Sequence, residues 1–146
     1  MTIKTFVTSA TAALMIVACA TAPAFADNNR VSLVQRGFEN SLGAAQYGFR
    51  QTLTVQQQGW QNTAITTQDG GRNRTVVAQS GYRNIATTTQ SGRCNILGVA
   101  QTGAGNTADV TQGGGCNAMA VIQIGNGNNV TTRQNGNGNV AVIIQD

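Results

Sequence analysis

The feature that most constrains this chain is a glutamine that recurs every eleven residues. Eleven glutamines keep this phase without a break: Gln35, Gln46, Gln57, Gln68, Gln79, Gln90, Gln101, Gln112, Gln123, Gln134 and Gln145. A glycine stands two residues after each of the first ten glutamines. An asparagine stands five residues after each of these ten, except that Gln51 takes its place after Gln46. Composition alone would supply amides without a fixed phase. The spacing therefore predicts a stack of like structural units.

Each unit also carries the alternation that is typical of a β-strand. The residues seven and nine positions after each glutamine are aliphatic, small or threonine, whereas the residues between them are mixed. These two positions share one face with the asparagine and the closing glutamine, so we expect that face to point inward. The x-Gly-x-x segment after each glutamine is predicted to turn, because glycine adopts conformations that a Cβ atom penalises. The turn glycines of one edge are Gly37, Gly59, Gly81, Gly103 and Gly125.

The pattern predicts an all-β fold, a β-solenoid of five two-strand rungs. Ten 11-residue half-repeats, from Gln35 to Gln145, would form two facing parallel sheets, with a strand of about seven residues and a four-residue turn in each. Rungs would stack roughly 4.8 Å apart. Glutamine would then lie over glutamine and asparagine over asparagine, each donating to one neighbour and accepting from the other. This pairing would explain amides on an inward face, where an unpaired one costs about 1–3 kcal/mol.

Residues 1–26 are predicted to be a secretory signal peptide. Lys4 supplies a positive charge, residues 6–20 are apolar or small, and Ala24-Phe25-Ala26 is an A-x-A cleavage site. A lipoprotein signal at Cys19 is the alternative. Residues 27–34 would form a short N-terminal segment, and residues 35–146 the solenoid. The chain after the leader contains no apolar run long enough to be a transmembrane segment.

The ionisable residues point away from catalysis and towards a structural protein. The chain has no histidine, which excludes Ser-His-Asp triads and histidine-ligated metals. The five acids are scattered along the chain: Asp27, Glu39, Asp69, Asp109 and Asp146. We therefore expect no enzyme activity, no cofactor and no metal site. The net charge of +4 is spread without a basic cluster, so nucleic acid is not expected as a primary partner.

Two sets of residues follow the 22-residue period of a full rung. Phe38, Trp60 and Tyr82 hold the same turn position and would form a column on one edge. We expect the rings to stack on one another, although such a column could also bind sugars, dyes or nucleobases. Cys94 and Cys116 are also 22 residues apart, and stacked rungs would bring their Cα atoms within the range of a disulfide. If the chain is exported, it reaches an oxidising compartment, in which a disulfide between these two cysteines would persist. Two free thiols are the alternative.

A stacked coil leaves unpaired backbone groups at both ends unless it is capped. The sequence shows no cap, because only residues 27–34 lie between the leader and the first unit, and residues 140–144 are apolar on both faces. No proline follows Pro23. These features predict head-to-tail addition of copies into a cross-β fibre.

The repeat resembles that of the curlin family, the subunits of bacterial curli amyloid fibres. The motif Q-x-G-x-x-N-x-A-x-x-x-Q stands at residues 57–68 and recurs at 79–90 and 101–112. The resemblance implies secretion through the outer-membrane curli pore with accessory chaperones, assembly into extracellular cell-surface fibres, and roles in adhesion and biofilm matrix. It also implies a second curlin subunit as partner. Whether this chain is the major subunit or the minor nucleator stays open.

In this family, amides of the terminal repeats are associated with the joining of subunits. The resemblance therefore implies a self-assembly ladder that comprises Gln35, Asn40, Gln123, Asn128, Gln134 and Asn139.

A monomeric β-solenoid that binds ice or carbohydrate is the rival from another class. An ice-binding face would need an outward threonine on each rung, but the outward positions of one sheet read Gly43, Ile65, Thr87, Asp109 and Thr131. A calcium-binding β-roll needs a period of nine with regular aspartates. A carbohydrate-active β-helix enzyme would need paired acids.

Overall fold

The computed structural model describes residues 2–7 and 28–146. These residues form twelve strands: β1 (Thr2–Val7), β2 (Arg30–Phe38), β3 (Ser41–Phe49), β4 (Thr52–Trp60), β5 (Thr63–Gly71), β6 (Arg74–Tyr82), β7 (Ile85–Arg93), β8 (Ile96–Ala104), β9 (Thr107–Gly115), β10 (Ala118–Asn126), β11 (Asn129–Asn137) and β12 (Val140–Gln145). No helix occurs in these ranges, and hence none that could cross a membrane. Apart from β1, the predicted signal peptide, with its cleavage motif and Cys19, lies outside the described residues.

Strands β2–β12 wind into a parallel β-solenoid of about five turns, which confirms the predicted fold class. One sheet has the order β1-β2-β4-β6-β8-β10-β12 and the other β3-β5-β7-β9-β11. Every pairing within the coil is parallel and joins residues 22 apart, so Gln57 lies opposite Gln79. β1 pairs with the outer edge of β2, where Thr2 lies opposite Arg30. The coil begins at Arg30, inside the segment 27–34 that the sequence sets apart from the repeats.

The strands are longer and the turns shorter than the sequence predicted. Each complete strand of the coil has nine residues, and two residues connect it to the next, as Gln61 and Asn62 join β4 to β5. The predicted turn glycines lie one residue before the end of their strands rather than in the turn. Gly59 and Gly81, for example, keep the strand register at φ values of 115° and 117°, so the ladder continues through them. Such values strain any residue that carries a Cβ atom.

The inward face contains more buried amide side chains than buried aliphatic ones. As predicted, it carries the residues seven and nine positions after each glutamine. The aliphatic side chains of this core are Leu53, Val55, Ala64, Val77, Ala86, Leu97, Val99, Ala108, Val110, Met119, Val121 and Val130. The repeating glutamines and asparagines flank this column and are equally buried over most of the coil. Their polar atoms must be paired within the stack, because water does not reach them.

Candidate functional site

The glutamine side chains form two continuous columns, one in each sheet. In the first, Nε2 of Gln57 donates to Oε1 of Gln79 at 2.8 Å, and Gln79 donates in the same way to Gln101 at 2.8 Å. In the second, Gln68 donates to Gln90 at 3.0 Å and Gln90 to Gln112 at 2.8 Å. Each amide donates to the residue 22 positions later. All bonds in both columns therefore run in one direction, from the N-terminal to the C-terminal end of the coil.

The same amide groups also tie the two sheets together. The second Nε2 proton of Gln79 reaches the carbonyl oxygen of Thr63 at 2.9 Å, and that of Gln101 reaches Ile85 at 2.9 Å. Thr63 and Ile85 belong to the opposite sheet. A glutamine in the middle of the coil thus uses both protons and its oxygen, so none of its polar atoms is left unpaired.

The asparagines lie over one another as expected, but they bond mainly to the backbone, and a bond from amide to amide occurs at only some rungs. Oδ1 of Asn62 accepts the backbone N–H of Asn84 at 3.1 Å. Nδ2 of Asn84 donates to the carbonyl of Ser80 at 3.2 Å and to that of Gly103 at 3.1 Å. Its contact with Oδ1 of Asn62, at 3.1 Å, is an additional one. The short asparagine side chain reaches the main chain of its own turn and of the next rung, so it fixes the turn.

The residue before each repeating asparagine, and the residue before Gln51, adopts the left-handed conformation, which the sequence did not predict. Its φ value lies between 52° and 72° at every rung. These residues are Asn28, Glu39, Arg50, Gln61, Arg72, Arg83, Cys94, Gly105, Cys116, Gly127 and Gly138. Three glycines at this position, in the second half of the chain, were the signal that could have shown where the backbone reverses.

Gln51, the single departure from asparagine in the sequence, coincides with a break in the column. Its backbone N–H is bonded to Oδ1 of Asn29 at 2.9 Å, and its Nε2 reaches the carbonyls of Tyr47 and Gly70 at 2.5 and 3.1 Å. Its Oε1 is buried and has no hydrogen-bond partner in the part of the chain that the structure describes. The extra methylene carries this oxygen away from the backbone N–H of Asn73, which an asparagine oxygen would accept.

Cys94 and Cys116 lie on neighbouring rungs and form a disulfide, with their Cα atoms 4.4 Å apart. Both hold the left-handed position before an asparagine. The bond links two successive turns on one side of the coil.

The aromatic column is only partly stacked. The rings of Phe38 and Trp60 meet edge to face with their centroids 6.0 Å apart. Tyr82 is instead covered by the guanidinium of Arg83, 4.7 Å from the ring centroid. Phe38 and Trp60 remain more than half exposed. The expected self-stacking thus holds for the first pair.

The residues of the predicted self-assembly ladder occupy different depths in the coil. Gln35 lies on β2 and donates to Gln57 at 2.6 Å, and Asn40 is buried in the first turn. Gln123 is fully buried, because Gln145 on β12 covers it at 3.1 Å. Gln134 closes the column of the second sheet, where it accepts from Gln112 at 2.8 Å. Asn128 is half-buried and Asn139 exposed, and each is the last asparagine of its column.

Apart from the outer edge of β2, which β1 covers, the end strands β3, β11 and β12 have no neighbouring strand on their outer edge among the described residues. At the N-terminal end, Gln46 donates to Gln68 at 2.7 Å, but its Oε1 is buried and has no hydrogen-bond partner within residues 2–7 and 28–146. At the C-terminal end, Gln134 and Gln145 accept from the preceding rung and, among the described residues, donate to no further glutamine. One end of the coil therefore presents amide acceptors, and the other presents amide donors.

Fold and site together define a parallel β-solenoid of eleven-residue half-repeats, held by amide columns and open at its C-terminal end. Residues 26–59 match the sequence model of the curlin associated repeat, which supports assignment of this chain to the curlin family. This is a family of structural fibre subunits rather than of enzymes. Comparison with curated proteins finds no match. The matched region holds the first three repeating glutamines, and the same phase continues to Gln145.

Proposed function

We propose that this chain is a secreted structural subunit of curli-like amyloid fibres, which adds head to tail by cross-β stacking and serves cell adhesion and the biofilm matrix. The observation that carries the proposal is the buried Oε1 of Gln46, which has no partner among the described residues, at one end of a column whose last glutamine, Gln134, donates to no further glutamine there. A buried acceptor without a partner is unfavourable. A second copy would supply the missing donor and pair the open strand edge as well.

The proposal includes the route to the cell surface. Residues 1–26 would direct export, and the mature chain would leave through the outer-membrane curli pore with its accessory chaperones. The support is the A-x-A leader in the sequence together with the curlin repeat at residues 26–59. The mature chain would then meet the other curlin subunit outside the cell.

Fibre formation by residues 27–146 tests the proposal directly. This segment holds every strand of the coil, and all side-chain hydrogen bonds described above lie within it. The purified segment should show a lag and then growth of thioflavin fluorescence, unbranched fibres in electron micrographs, and diffraction near 4.8 Å along the fibre. A protein that stays monomeric and instead binds ice or polysaccharide would support the rival solenoid class and refute the fibre proposal.

A second candidate is the minor subunit that nucleates fibre growth on the cell surface. The constant spacing of eleven residues favours it, since the resemblance associates even spacing with the nucleator. The test is to add this chain in substoichiometric amount to a different curlin subunit and to measure the lag before fibre growth. A nucleator should shorten that lag. A major subunit should shorten chiefly the lag before fibre growth of further copies of itself.

A further inference from the structure

The two outermost strands of the coil, β2 and β12, belong to the same sheet. The coil from β2 to β12 places six strands in that sheet and five in the other. If a second copy were stacked in the same orientation, its β2 would lie on β12. Its β3 would then face β11 across the space of a whole missing strand. Identical orientation therefore leaves a gap in one sheet at every junction.

We propose that successive copies in the fibre are related by a half-turn about the fibre axis, an inference that rests on the proposed function. In this arrangement β11 pairs with β2 of the next copy, and β12 pairs with β3 of the next copy. The same operation already relates neighbouring half-repeats within the chain, because consecutive strands alternate between the two sheets. The junction thus continues the coil without a missing strand, and the two sheets exchange roles from copy to copy.

The amide groups at the two ends fit this arrangement. Within the chain, each glutamine donates to the one 22 residues later, so Gln134 and Gln145 are the donors at the C-terminal end. The half-turn sets Gln145 on Gln46 of the next copy and Gln134 on Gln35 of the next copy. The buried, unpaired Oε1 of Gln46 then receives its donor. In the unrotated stack, Gln145 would meet Gln35, and Gln46 would face the gap.

The turns also continue across the proposed junction. Asn29 holds the asparagine position of the repeat, since its Oδ1 accepts the backbone N–H of Gln51 at 2.9 Å. Asn28, the residue before it, has a φ of 62° and so shares the left-handed conformation found at that position in every rung. Asn128 would therefore accept the N–H of Asn29 of the next copy, and Asn139 that of Asn40 of the next copy.

The precursor cannot use this junction while its leader is in place. β1 pairs with the outer edge of β2, which is the edge that β11 of a neighbour would need. The same pairing demonstrates that this edge accepts a parallel strand. Residues 27–146, which lack β1, are therefore the form to test.

The disulfide of the coil provides the geometry for a cross-linking test. Cys94 and Cys116 hold left-handed positions on stacked rungs. With the half-turn, the corresponding pair across the junction is Gly138 and Glu39 of the next copy. Without rotation, it is Gly138 and Asn28 of the next copy. Two matched variants of residues 27–146, both with Cys94→Ser and Cys116→Ser, therefore separate the arrangements: Glu39→Cys with Gly138→Cys, and Asn28→Cys with Gly138→Cys.

Fibres of each variant are grown under reducing conditions, oxidised, and dissolved without reductant for gel electrophoresis. For the variant with Glu39→Cys and Gly138→Cys, we expect a ladder of covalent multimers that contains more than half of the protein. For the variant with Asn28→Cys and Gly138→Cys, we expect mainly monomer. The reverse result, or monomer from both, overturns the half-turn while the fibre proposal stands. If unsubstituted residues 27–146 form no fibres, the proposed function and this inference both fail.

Electron cryo-microscopy of unsubstituted fibres gives an independent measurement if a variant does not assemble. Eleven strands shared between two sheets predict a rise of roughly 26 Å per subunit. The rotation per subunit should lie near a half-turn, apart from the twist of the sheets. A rotation near zero, with an interruption in one sheet at each junction, would contradict the proposal.

Discussion

The middle rungs and the end strands of the coil share one sequence unit but differ in how completely its amides are paired. Gln79, in the middle, accepts from Gln57 and donates to Gln101, both at 2.8 Å. Gln46, near the N-terminal end, donates to Gln68, but its buried oxygen accepts nothing. The comparison shows that one repeat supplies half of each bond, and that a neighbouring rung must supply the other half.

Alanine at a repeating glycine should give the largest contrast between middle and end. A Cβ atom at Gly81 would overlap the carbonyl oxygen of Gly103, whereas at Gly136 its nearest neighbour is the exposed amide of Asn139, 2.9 Å away. Gly81→Ala should therefore lower the stability of residues 27–146 by about 4 kcal/mol or more and prevent folding. Gly136→Ala should lower this stability by a smaller amount, because only the positive φ at residue 136 disfavours alanine there. Circular dichroism of freshly desalted protein during denaturant titration measures both.

Gly136→Ala should nevertheless stop fibre growth, because the half-turn places the backbone of Gly37 of the next copy over this position. Gly125→Ala is the matched control. It has a similar φ, 102° against 114°, and its Cβ would meet only ordinary contacts. Thioflavin growth with preformed seeds should fall at least tenfold for Gly136→Ala and much less for Gly125→Ala. Equal growth of the two variants would contradict the proposed junction.

Paired amide removal should separate stability from growth. Gln79→Ala with Asn84→Ala leaves partners unpaired on both sides, so it should destabilise the monomer by about 3 kcal/mol. Gln134→Ala with Asn139→Ala should cost the monomer far less, yet slow elongation more. Denaturation midpoints and seeded growth rates, measured on the same preparations, should rank the two variants in opposite orders. The same order in both measurements would show that the end amides have no special role in joining copies.

Loss of the disulfide should weaken the middle by a smaller amount. Cys94→Ser with Cys116→Ser removes the covalent link between two rungs and should lower stability by about 2–3 kcal/mol. Mass measurement of unreduced residues 27–146 should first show the loss of two hydrogens relative to the reduced chain. Two free thiols in freshly exported protein would contradict the bond.

Gln51→Asn should give the smallest effect, and a favourable one. Gln51 lies inside the coil but leaves a buried oxygen unpaired, as Gln46 does at the end. Asparagine should restore the bond to the backbone N–H of Asn73 and raise stability by about 1 kcal/mol. Gln51→Ala is a suitable control, since it removes the amide without repairing the column. A destabilised Gln51→Asn variant would show that the longer side chain is needed here.

The sequence predicted the stacking far better than the path of the backbone. A strict period fixes which residues lie over one another, so the two sheets, the 22-residue register and the inward positions of Leu53 and Val55 followed from spacing alone. Spacing does not determine φ. The repeating glycines were therefore assigned to turns, whereas Gly59 and Gly81 lie within strands. The reversal at the residue before each asparagine was missed because most of these positions, such as Arg72 and Arg83, hold residues without turn preference.

The candidate site was predictable in identity but not in bonding. The glutamine columns follow from identical side chains at identical heights. The role of asparagine depends on its reach, because Oδ1 of Asn62 accepts the backbone N–H of Asn84 on the next rung, and Nδ2 of Asn84 donates to backbone carbonyls. Pairing of β1 with β2 could not be predicted, since the register of Thr2 with Arg30 does not follow the eleven-residue phase.

The uniform direction of the glutamine bonds has a consequence for the filament as a whole. Every carboxamide dipole in both columns points the same way along the axis, so their sum grows with length instead of cancelling. The two tips then carry opposite partial charges and are chemically unlike. An inverted copy would set like groups against each other at each column, oxygen against oxygen at one end and amide NH2 against amide NH2 at the other. A growing filament therefore rejects it and keeps one direction from its origin to its free tip.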